Sequence, residues 1–239
     1  MMLPASEHRI RERLEDSDVV LDVGGWADPF PRADWVLDVM PYETRGLYAR
    51  EGWVQSRPPE PERFDASRWI QRDICSREPF PFRDGEIDFA ICSQTLEDVR
   101  DPVWVCTELQ RVARAGYIEV PSRLEEQTYG FQGPFVGWPH HHWLVDVDAG
   151  ALEYVAKPLD LHARPDCHFP SGFRERLDED ERVQTLWWEG RFDVRERFFI
   201  DTSPYDRYLP DFVSSELERR PLPRRPRRRI PALRRGRRP

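Results

Sequence analysis

Short apolar runs alternate with polar segments through the first half of the chain. Five of these runs are compact, and they cover residues 19–23, 35–39, 69–74, 85–92 and 115–120. Runs of this length are typical of strands that a sheet buries on both faces. Between the last two runs, apolar residues recur at helical spacing over 102–113, after a start signal at Asp101 and Pro102. Strands that alternate with helical segments predict a parallel α/β sheet.

The pattern at the N-terminus predicts a short amphipathic helix within residues 1–17. Ser6 is a suitable N-cap, and Ile10 and Leu14 have the spacing of one helical face. Further along, residues 123–142 are rich in glycine, proline and aromatic side chains. This composition favours a long loop, which we interpret as a lid.

The segments that follow residue 142 predict a β-rich extension. We expect a strand at 142–145 and a short helix at 148–157. Two further apolar runs, 183–188 and 192–200, are joined by a turn at Gly190 and predict a hairpin.

The C-terminal part of the chain differs in charge from the rest. Residues 219–239 contain eleven arginines and no acid, whereas residues 1–218 carry 25 basic against 44 acidic side chains. We therefore expect a globular domain at 18–205 and a flexible Arg/Pro-rich tail at 206–239. A body this acidic is a poor general binder of nucleic acid. The tail is either a solvated terminus or a weak contact for a polyanion such as RNA, anionic lipid or an acidic partner.

Several features disfavour membrane insertion and export. No apolar run reaches the roughly 18 residues of a membrane-spanning helix, and the first residues lack the apolar stretch of a signal peptide. The four cysteines, at 75, 92, 106 and 167, have no metal-binding spacing and are expected to be free thiols. These observations predict a cytoplasmic protein without a transmembrane segment.

Two polar features are expected to meet at the carboxyl end of the sheet, where open α/β sheets bind ligands. The first strand ends in Asp22 and the turn of Gly24 and Gly25, which leaves room for a ligand near the backbone. Asp38 lies near the end of the second strand, where an acid can accept both hydroxyls of a ribose. This combination favours a cofactor with a nucleoside, although a plain turn with one solvated or capping aspartate has the same pattern. Adjacent glycines do not have the spacing that positions a pyrophosphate, so NAD(P) is disfavoured.

Six segments match, in order and spacing, the motifs of one known family, and they are residues 19–25, 36–38, 73–74, 79–89, 91–102 and 108–112. On these segments the chain resembles the class I S-adenosylmethionine-dependent methyltransferases, in the small-molecule, type 11-like branch. The resemblance covers residues 18–122 and extends more faintly to about 157. The predicted fold class is therefore α/β. We expect a Rossmann-like methyltransferase sheet of the seven-stranded type with helices on both faces, a C-terminal β-rich extension and a disordered tail.

The resemblance implies S-adenosylmethionine as cofactor. It assigns cofactor binding to the residues Asp22, Gly24, Gly25, Asp38, Asp73, Ile74 and Ser93. The first three would shape the pocket for the methionine part, Asp38 would hold the ribose, and the pair at 73–74 would border the adenine. Two segments depart from the family pattern. Trp26 and Ala27 replace the later glycines of the first turn, and Gln94 and Asp98 replace the two histidines of the segment after the fourth strand.

Methyl transfer from a sulfonium is an in-line displacement that mainly requires the protein to position two reactants. A general base is needed only when the acceptor holds its proton at neutral pH. The catalytic candidates are Glu97, His140 and His142, with Glu119 and His141 as further possible bases. The alternative is that the histidines make structural hydrogen bonds at a strand start. On a strand only two histidines share a face, and no neighbouring cysteine or carboxylate pattern completes a shell, so no metal site is expected.

The sequence thus predicts an enzyme that transfers methyl groups from S-adenosylmethionine to a small-molecule or glycan/lipid-type acceptor. The alternative is a non-catalytic binding protein of the same fold, whose Arg-rich tail at 219–239 docks on a polyanion. Neither the acceptor nor the oligomeric state is indicated by these patterns.

Overall fold

The computed structural model describes residues 2–52 and 60–222. Its strands are β1 (Val20–Val23), β2 (Trp35–Asp38), β3 (Trp69–Gln71), β4 (Ile87–Ser93), β5 (Ala113–Pro121), β6 (Trp143–Asp148), β7 (Ala151–Ala156), β8 (Val183–Glu189) and β9 (Asp193–Glu196). Its α-helices are α1 (Pro4–Arg13), α2 (Leu47–Arg50), α3 (Pro102–Val112), α4 (Arg123–Glu126) and α5 (Thr202–Arg219). Short 3-10 helices lie at Tyr42–Thr44, Ala66–Arg68, Leu161–Ala163, Pro165–Cys167, Arg174–Arg176 and Asp180–Arg182.

The main sheet has the strand order β3-β2-β1-β4-β5-β8. The first five strands are parallel, and β8 runs antiparallel to β5 with Ile118 opposite Leu186. The predicted α/β class and the five predicted strands are confirmed. Within residues 2–52 and 60–222 the sheet has six strands rather than seven, because β6 and β7 pair with each other instead of joining it.

Side chains of the central strands alternate between two apolar cores, as period-two geometry requires. Leu21, Ala90 and Ile118 point into the core that α3 covers, whereas Val20 and Ile91 point into the core that α1 covers. Helices therefore lie on both faces of the sheet, as predicted. The predicted start of α3 is also confirmed, since the Asp101 carboxylate accepts the Trp104 amide at 3.0 Å.

A second, three-stranded sheet with the order β6-β7-β9 packs on the α3 side of the main sheet. The predicted helix at 148–157 is wrong. This segment continues through a turn at Ala149 and Gly150, both with positive φ, into β7, so that Leu152 and Tyr154 on one face of the strand are buried. The predicted hairpin at 183–200 is also wrong, because β8 joins the main sheet while β9 pairs in parallel with β7.

The expectation of a flexible tail from residue 206 is wrong as far as residue 219. Helix α5 buries Leu209 and Val213 against two small apolar clusters formed mainly by residues 136–177. The Arg123 guanidinium lies 4.2 Å from the ring centre of Tyr208 and 3.9 Å from that of Phe212, which further attaches the helix to α4. Residues 223–239 of the predicted tail lie outside the described residues.

The segment expected to be a lid consists of two parts. Residues 123–128 form α4 and a buried turn, whereas residues 129–142 run along the surface with Val136 buried beneath them. All four cysteines are free and buried, which confirms the sequence expectation. No helix among the described residues is long and apolar enough to cross a membrane.

The packing of α5 can be tested with two matched leucines. Leu209 is fully buried on α5, whereas Leu159 is 98% exposed in a turn. We expect Leu209→Ala to lower the free energy of unfolding by about 2–5 kcal/mol, because it leaves a cavity. Leu159→Ala should change it by less than about 0.5 kcal/mol. Urea unfolding of both variants measures the difference, and equal small effects would show that α5 is not packed as described.

Candidate functional site

A cavity of about 1260 Å³ opens at the carboxyl ends of the parallel strands. It lies at the point where strand order changes direction, between β1 and β4. Residues that follow β1, β2 and β3 line one wall, and residues that follow β4 lie at the centre. The other wall comes from residues 125–142 and 174–183, and Met2, Leu3 and Pro4 border the opening.

The glycine turn after β1 is packed from inside the protein. A Cβ on Gly25 would lie 2.2 Å from Oδ2 of Asp22, and a Cβ on Gly24 would lie 2.2 Å from the Thr95 hydroxyl oxygen. Gly24 also has φ +80°, which disfavours any side chain. The glycines are thus required by the turn's own packing as well as by access for a ligand. Asp22 accepts the Phe30 amide at 2.9 Å and closes the turn.

The Trp26 side chain does not fill the glycine turn, although the family that the chain resembles has a small residue at this position. Its indole N–H donates to the Thr44 carbonyl at 2.8 Å, which carries the ring towards the 3-10 helix Tyr42–Thr44. Trp26 therefore lines the cavity from the side. The Trp26 indole, which replaces a small residue of the family pattern, therefore does not block the glycine turn after β1.

Asp38, the last residue of β2, presents its carboxylate to the cavity in one orientation. The amide of Trp26 donates to Oδ2 at 3.0 Å, and the amide of Met40 donates to Oδ1 at 2.8 Å. Burial raises the pKa of Asp38, although the backbone N–H groups of Met40, Trp26 and Val39 act in the opposite direction. A carboxylate has about four acceptor directions in all, so acceptor capacity remains for a hydroxyl group of a ligand.

Asp73 and Ile74 follow β3 and lie on the same wall as Asp38. The Asp73 carboxylate accepts the Cys75 amide at 2.8 Å and pairs with Arg100 at 2.6 Å. Val39 is 59% exposed and also lines this wall, a residue that the sequence did not single out. Together with Ile74 it provides an apolar surface suited to a flat heterocycle.

Three of the predicted cofactor residues lie beside the main cavity rather than in its lining. Asp22, Gly25 and Ser93 line a small adjoining pocket, into which Gly24 also extends. The Ser93 hydroxyl donates to the Glu119 carboxylate at 3.2 Å. Glu119 is fully buried and also accepts from Leu3, Gln94 and Tyr117, so it is a structural anchor rather than a base in the cavity.

Glu97 is 1% exposed and belongs to the cavity lining. Its Oε2 is buried and has no hydrogen-bond partner among the residues that the structure describes. Burial raises the pKa of Glu97 to about 8, although the neighbouring His141 imidazole lowers it. At neutral pH the carboxyl therefore mostly keeps its proton and can donate a hydrogen bond as well as accept one.

The three consecutive histidines precede β6 and do not lie on a strand. Residues 139 and 140 form a turn and residues 141 and 142 lead into β6, so the strand geometry considered for the histidines is wrong. All three line the cavity, with His140 exposed and His141 almost fully buried. The His142 amide donates to the Glu97 carbonyl at 2.7 Å, which ties the histidine segment to the end of β4.

A buried ion-pair chain supports His141, and the sequence did not single it out. Nδ1 of His141 lies 2.8 Å from Oε1 of Glu126, and the Lys157 ammonium donates to Oε2 of the same carboxylate at 2.7 Å. Burial alone would lower the pKa of His141, but the bond to Glu126 and the nearby carboxylates raise it overall. The sequence offered one signal for this ion-pair chain, because Lys157 is the sole lysine of the protein.

The packing of the glycine turn predicts a specific coupling. Gly25→Ala should lower the free energy of unfolding by about 1–3 kcal/mol, because the new methyl group displaces the Asp22 carboxylate. In an Asp22→Ala background the same change should cost clearly less, because the obstructing group is gone. Urea unfolding of the two single variants and the double variant closes the cycle. Strictly additive effects would contradict the contact.

One segment of the chain matches a known protein family. Residues 52–118 match the family described as "Methyltransferase domain", and this range contains β3, β4 and α3. No curated protein matches the chain.

Solved structures show partial likenesses at low identity. An S-adenosylmethionine-dependent methyltransferase from Aquifex aeolicus is 17% identical, with 48% of this chain and 62% of that chain covered and a TM-score of 0.33. The [4+2]-cyclase SpnF is 21% identical, with 50% and 45% covered and a TM-score of 0.36. An arsenic(III) S-adenosylmethionine methyltransferase from Chlamydomonas reinhardtii is 18% identical, with 44% and 39% covered and a TM-score of 0.31. The chain thus spans less than two thirds of each of these proteins.

Proposed function

We propose that the chain transfers a methyl group from S-adenosylmethionine to a small-molecule or glycan/lipid-type acceptor, which the match of residues 52–118 to a methyltransferase domain supports. The observation that carries the proposal is the large cavity at the carboxyl ends of β1 to β4. Its volume of about 1260 Å³ exceeds the roughly 300–1,000 Å³ that one drug-sized ligand occupies. The cavity therefore has room for the cofactor and a small acceptor side by side.

The residues of the first wall fit S-adenosylmethionine. Asp38 is held by two backbone amides and can accept a ribose hydroxyl. Val39 and Ile74 would cover the adenine, and Asp73 would border it. Gly24 and Gly25, with Asp22 behind them, would shape the space for the methionine part, and Ser93 would support it through Glu119.

The charge of the cavity also fits this cofactor. Six acidic side chains and three arginines belong to the lining. The acidic side chains are Asp38, Asp73, Glu97, Asp98, Glu125 and Glu179. With Glu97 protonated, the five remaining carboxylates still outnumber the three arginines, and this excess of negative charge stabilises a bound sulfonium cation and repels a phosphodiester chain. The lining thus favours a small acceptor over a nucleic acid.

The cofactor, when bound, supplies an electrophilic methyl group. The chain's own contribution is to hold the two reactants in line and to keep water out, which is worth up to about 7–11 kcal/mol in favourable cases. Trp138 and the histidine segment form the second wall, where the acceptor would lie. Of the lining residues, His140 and His142 could accept a proton, and the protonated Glu97 could orient an acceptor hydroxyl or amine through a hydrogen bond.

Calorimetric titration of the full-length protein with S-adenosylmethionine and with S-adenosylhomocysteine tests the proposal. We expect binding of both in the micromolar range, with one molecule per chain. Absence of binding of either compound at millimolar concentration would overturn the proposal. The non-catalytic binding protein would then be the better description.

The role of Asp38 leads to a sharper expectation. Asp38→Ala removes the acceptor for a ribose hydroxyl and should weaken cofactor binding by about 1.5–3 kcal/mol, or roughly 10- to 150-fold in Kd. Asp211→Ala is the matched control, since Asp211 is exposed on α5 outside the cavity lining. Calorimetry of both variants should give an altered Kd for the first alone. An unchanged Kd for a folded Asp38→Ala protein would refute the ribose contact.

A further inference from the structure

Three side chains with metal-binding atoms converge at the edge of the cavity. Nε2 of His141 lies 3.6 Å from Oδ1 of Asp98, and Nε2 of His140 lies 3.9 Å from the same oxygen. The three ligand atoms all lie within 4.8 Å of one another. Asp98 follows β4, whereas the histidines precede β6, so the fold brings the three together across 42 or more residues of sequence.

These distances are too long for hydrogen bonds and close to those between ligands of one ion. An N–H···O bond has its heavy atoms 2.7–3.2 Å apart in general. Two atoms bound tetrahedrally at about 2.1 Å from one ion lie about 3.4 Å apart. Oδ1 of Asp98 is buried and has no hydrogen-bond partner within the described part of the chain. A cation between the three side chains would satisfy this oxygen.

The orientation of His141 is a second, independent observation. Glu126 is 1% exposed and lies 2.8 Å from Nδ1 of His141 through Oε1. Lys157 holds the other oxygen of Glu126 at 2.7 Å. A carboxylate on Nδ1 fixes the tautomer that leaves the Nε2 lone pair free, and this carboxylate–histidine arrangement is the usual support of metal-bound histidines. Here Nε2 faces Asp98.

The surroundings leave room for further ligands. Asp98, His140 and His141 all belong to the lining of the main cavity, and the His140 side chain is 61% exposed. Glu97, which is 1% exposed, contributes its unpartnered Oε2 to the same lining. Three protein ligands with open positions towards a cavity are typical of metal sites that bind an exogenous oxygen or nitrogen ligand.

We propose that Asp98, His140 and His141 bind one divalent transition-metal ion, with its open coordination positions facing the cavity. Two imidazole nitrogens and one carboxylate favour ions of the Zn²⁺, Co²⁺, Fe²⁺ or Mn²⁺ kind over Mg²⁺ and Ca²⁺, which prefer oxygen ligands. Water or an oxygen or nitrogen atom of a cavity ligand completes the shell. The sequence expectation of no metal site rested on strand geometry and on the lack of a carboxylate near the histidines in sequence. The structure replaces the strand with a turn at 139–140 and brings Asp98 next to the histidines.

The proposal does not depend on methyl transfer, because it rests on the three ligands alone. Full-length protein without an affinity tag, stripped with a chelator, is titrated with Co²⁺ at pH 7.5. A strong rise in visible d–d absorption distinguishes four- or five-coordinate protein-bound Co²⁺ from the weakly absorbing hydrated ion, and competition with Zn²⁺ gives the affinity for the second ion. We expect one ion per chain. Asp98→Asn and His140→Ala should each weaken binding at least tenfold, and Glu126→Gln should weaken it about 10- to 100-fold by releasing the orientation of His141.

His162→Ala serves as the matched control, because His162 is exposed in the 3-10 helix Leu161–Ala163. This variant should bind Co²⁺ as tightly as the wild-type protein. The His140 side chain is mostly exposed, so His140→Ala should fold normally. If Asp98→Asn or Glu126→Gln fails to fold, His140→Ala still decides the test. Absence of Co²⁺ and Zn²⁺ binding, or binding that His140→Ala and Asp98→Asn leave unchanged, would overturn the proposal. The cofactor titration is a separate measurement, so failure of one does not imply failure of the other.

Discussion

One close contact shapes the wall where we propose that the cofactor binds: the Asp22 carboxylate lies where a side chain of residue 25 would be. The same carboxylate accepts the Phe30 amide, so the turn after β1 is closed by a residue of β1 itself. Because the turn is this tight, the Trp26 amide reaches Asp38 at the end of β2. The ends of two neighbouring strands are thus tied together by backbone donors. Asp38 has a defined orientation because it receives these bonds, and the predicted ribose contact depends on that orientation.

The opposite wall depends on the balance of buried charges. Glu97, Glu125 and Glu126 are nearly fully buried, and Glu126 interacts electrostatically with both other glutamates and with Asp98. Burying several carboxylates is costly unless each has a partner. Lys157 and His141 compensate Glu126, and Arg174 lies 3.3 Å from Glu125. Glu97, Asp98 and Glu125 each keep one oxygen without a hydrogen-bond partner among the described residues, and all three residues line the cavity that we assign to ligand binding.

The errors of sequence prediction have identifiable physical causes. The segment 148–157 has apolar residues at spacings that suit either a helix or a strand, and only pairing of β7 with β6 and β9 decides between them. Residues 206–219 have a low apolar content, but Leu209 and Val213 find apolar clusters built from distant residues. Local composition underestimates such a helix because its stability comes from tertiary packing. The strand expected at 142–145 begins at Trp143, so the histidines lie before it, in and next to the turn at residues 139 and 140.

The sequence by itself determined the order of strands and helices up to residue 121, the glycine turn, and the acids at the ends of β2 and β3. These features depend on local periodicity and on turn chemistry, which are written in consecutive residues. Tertiary structure decided which side chains meet across the cavity. Asp98 meets His140 and His141, and Glu126 meets Lys157, through packing of segments far apart in the chain. No local sequence pattern predicts these side-chain contacts, because they depend on how the second sheet and α4 pack against the end of β4.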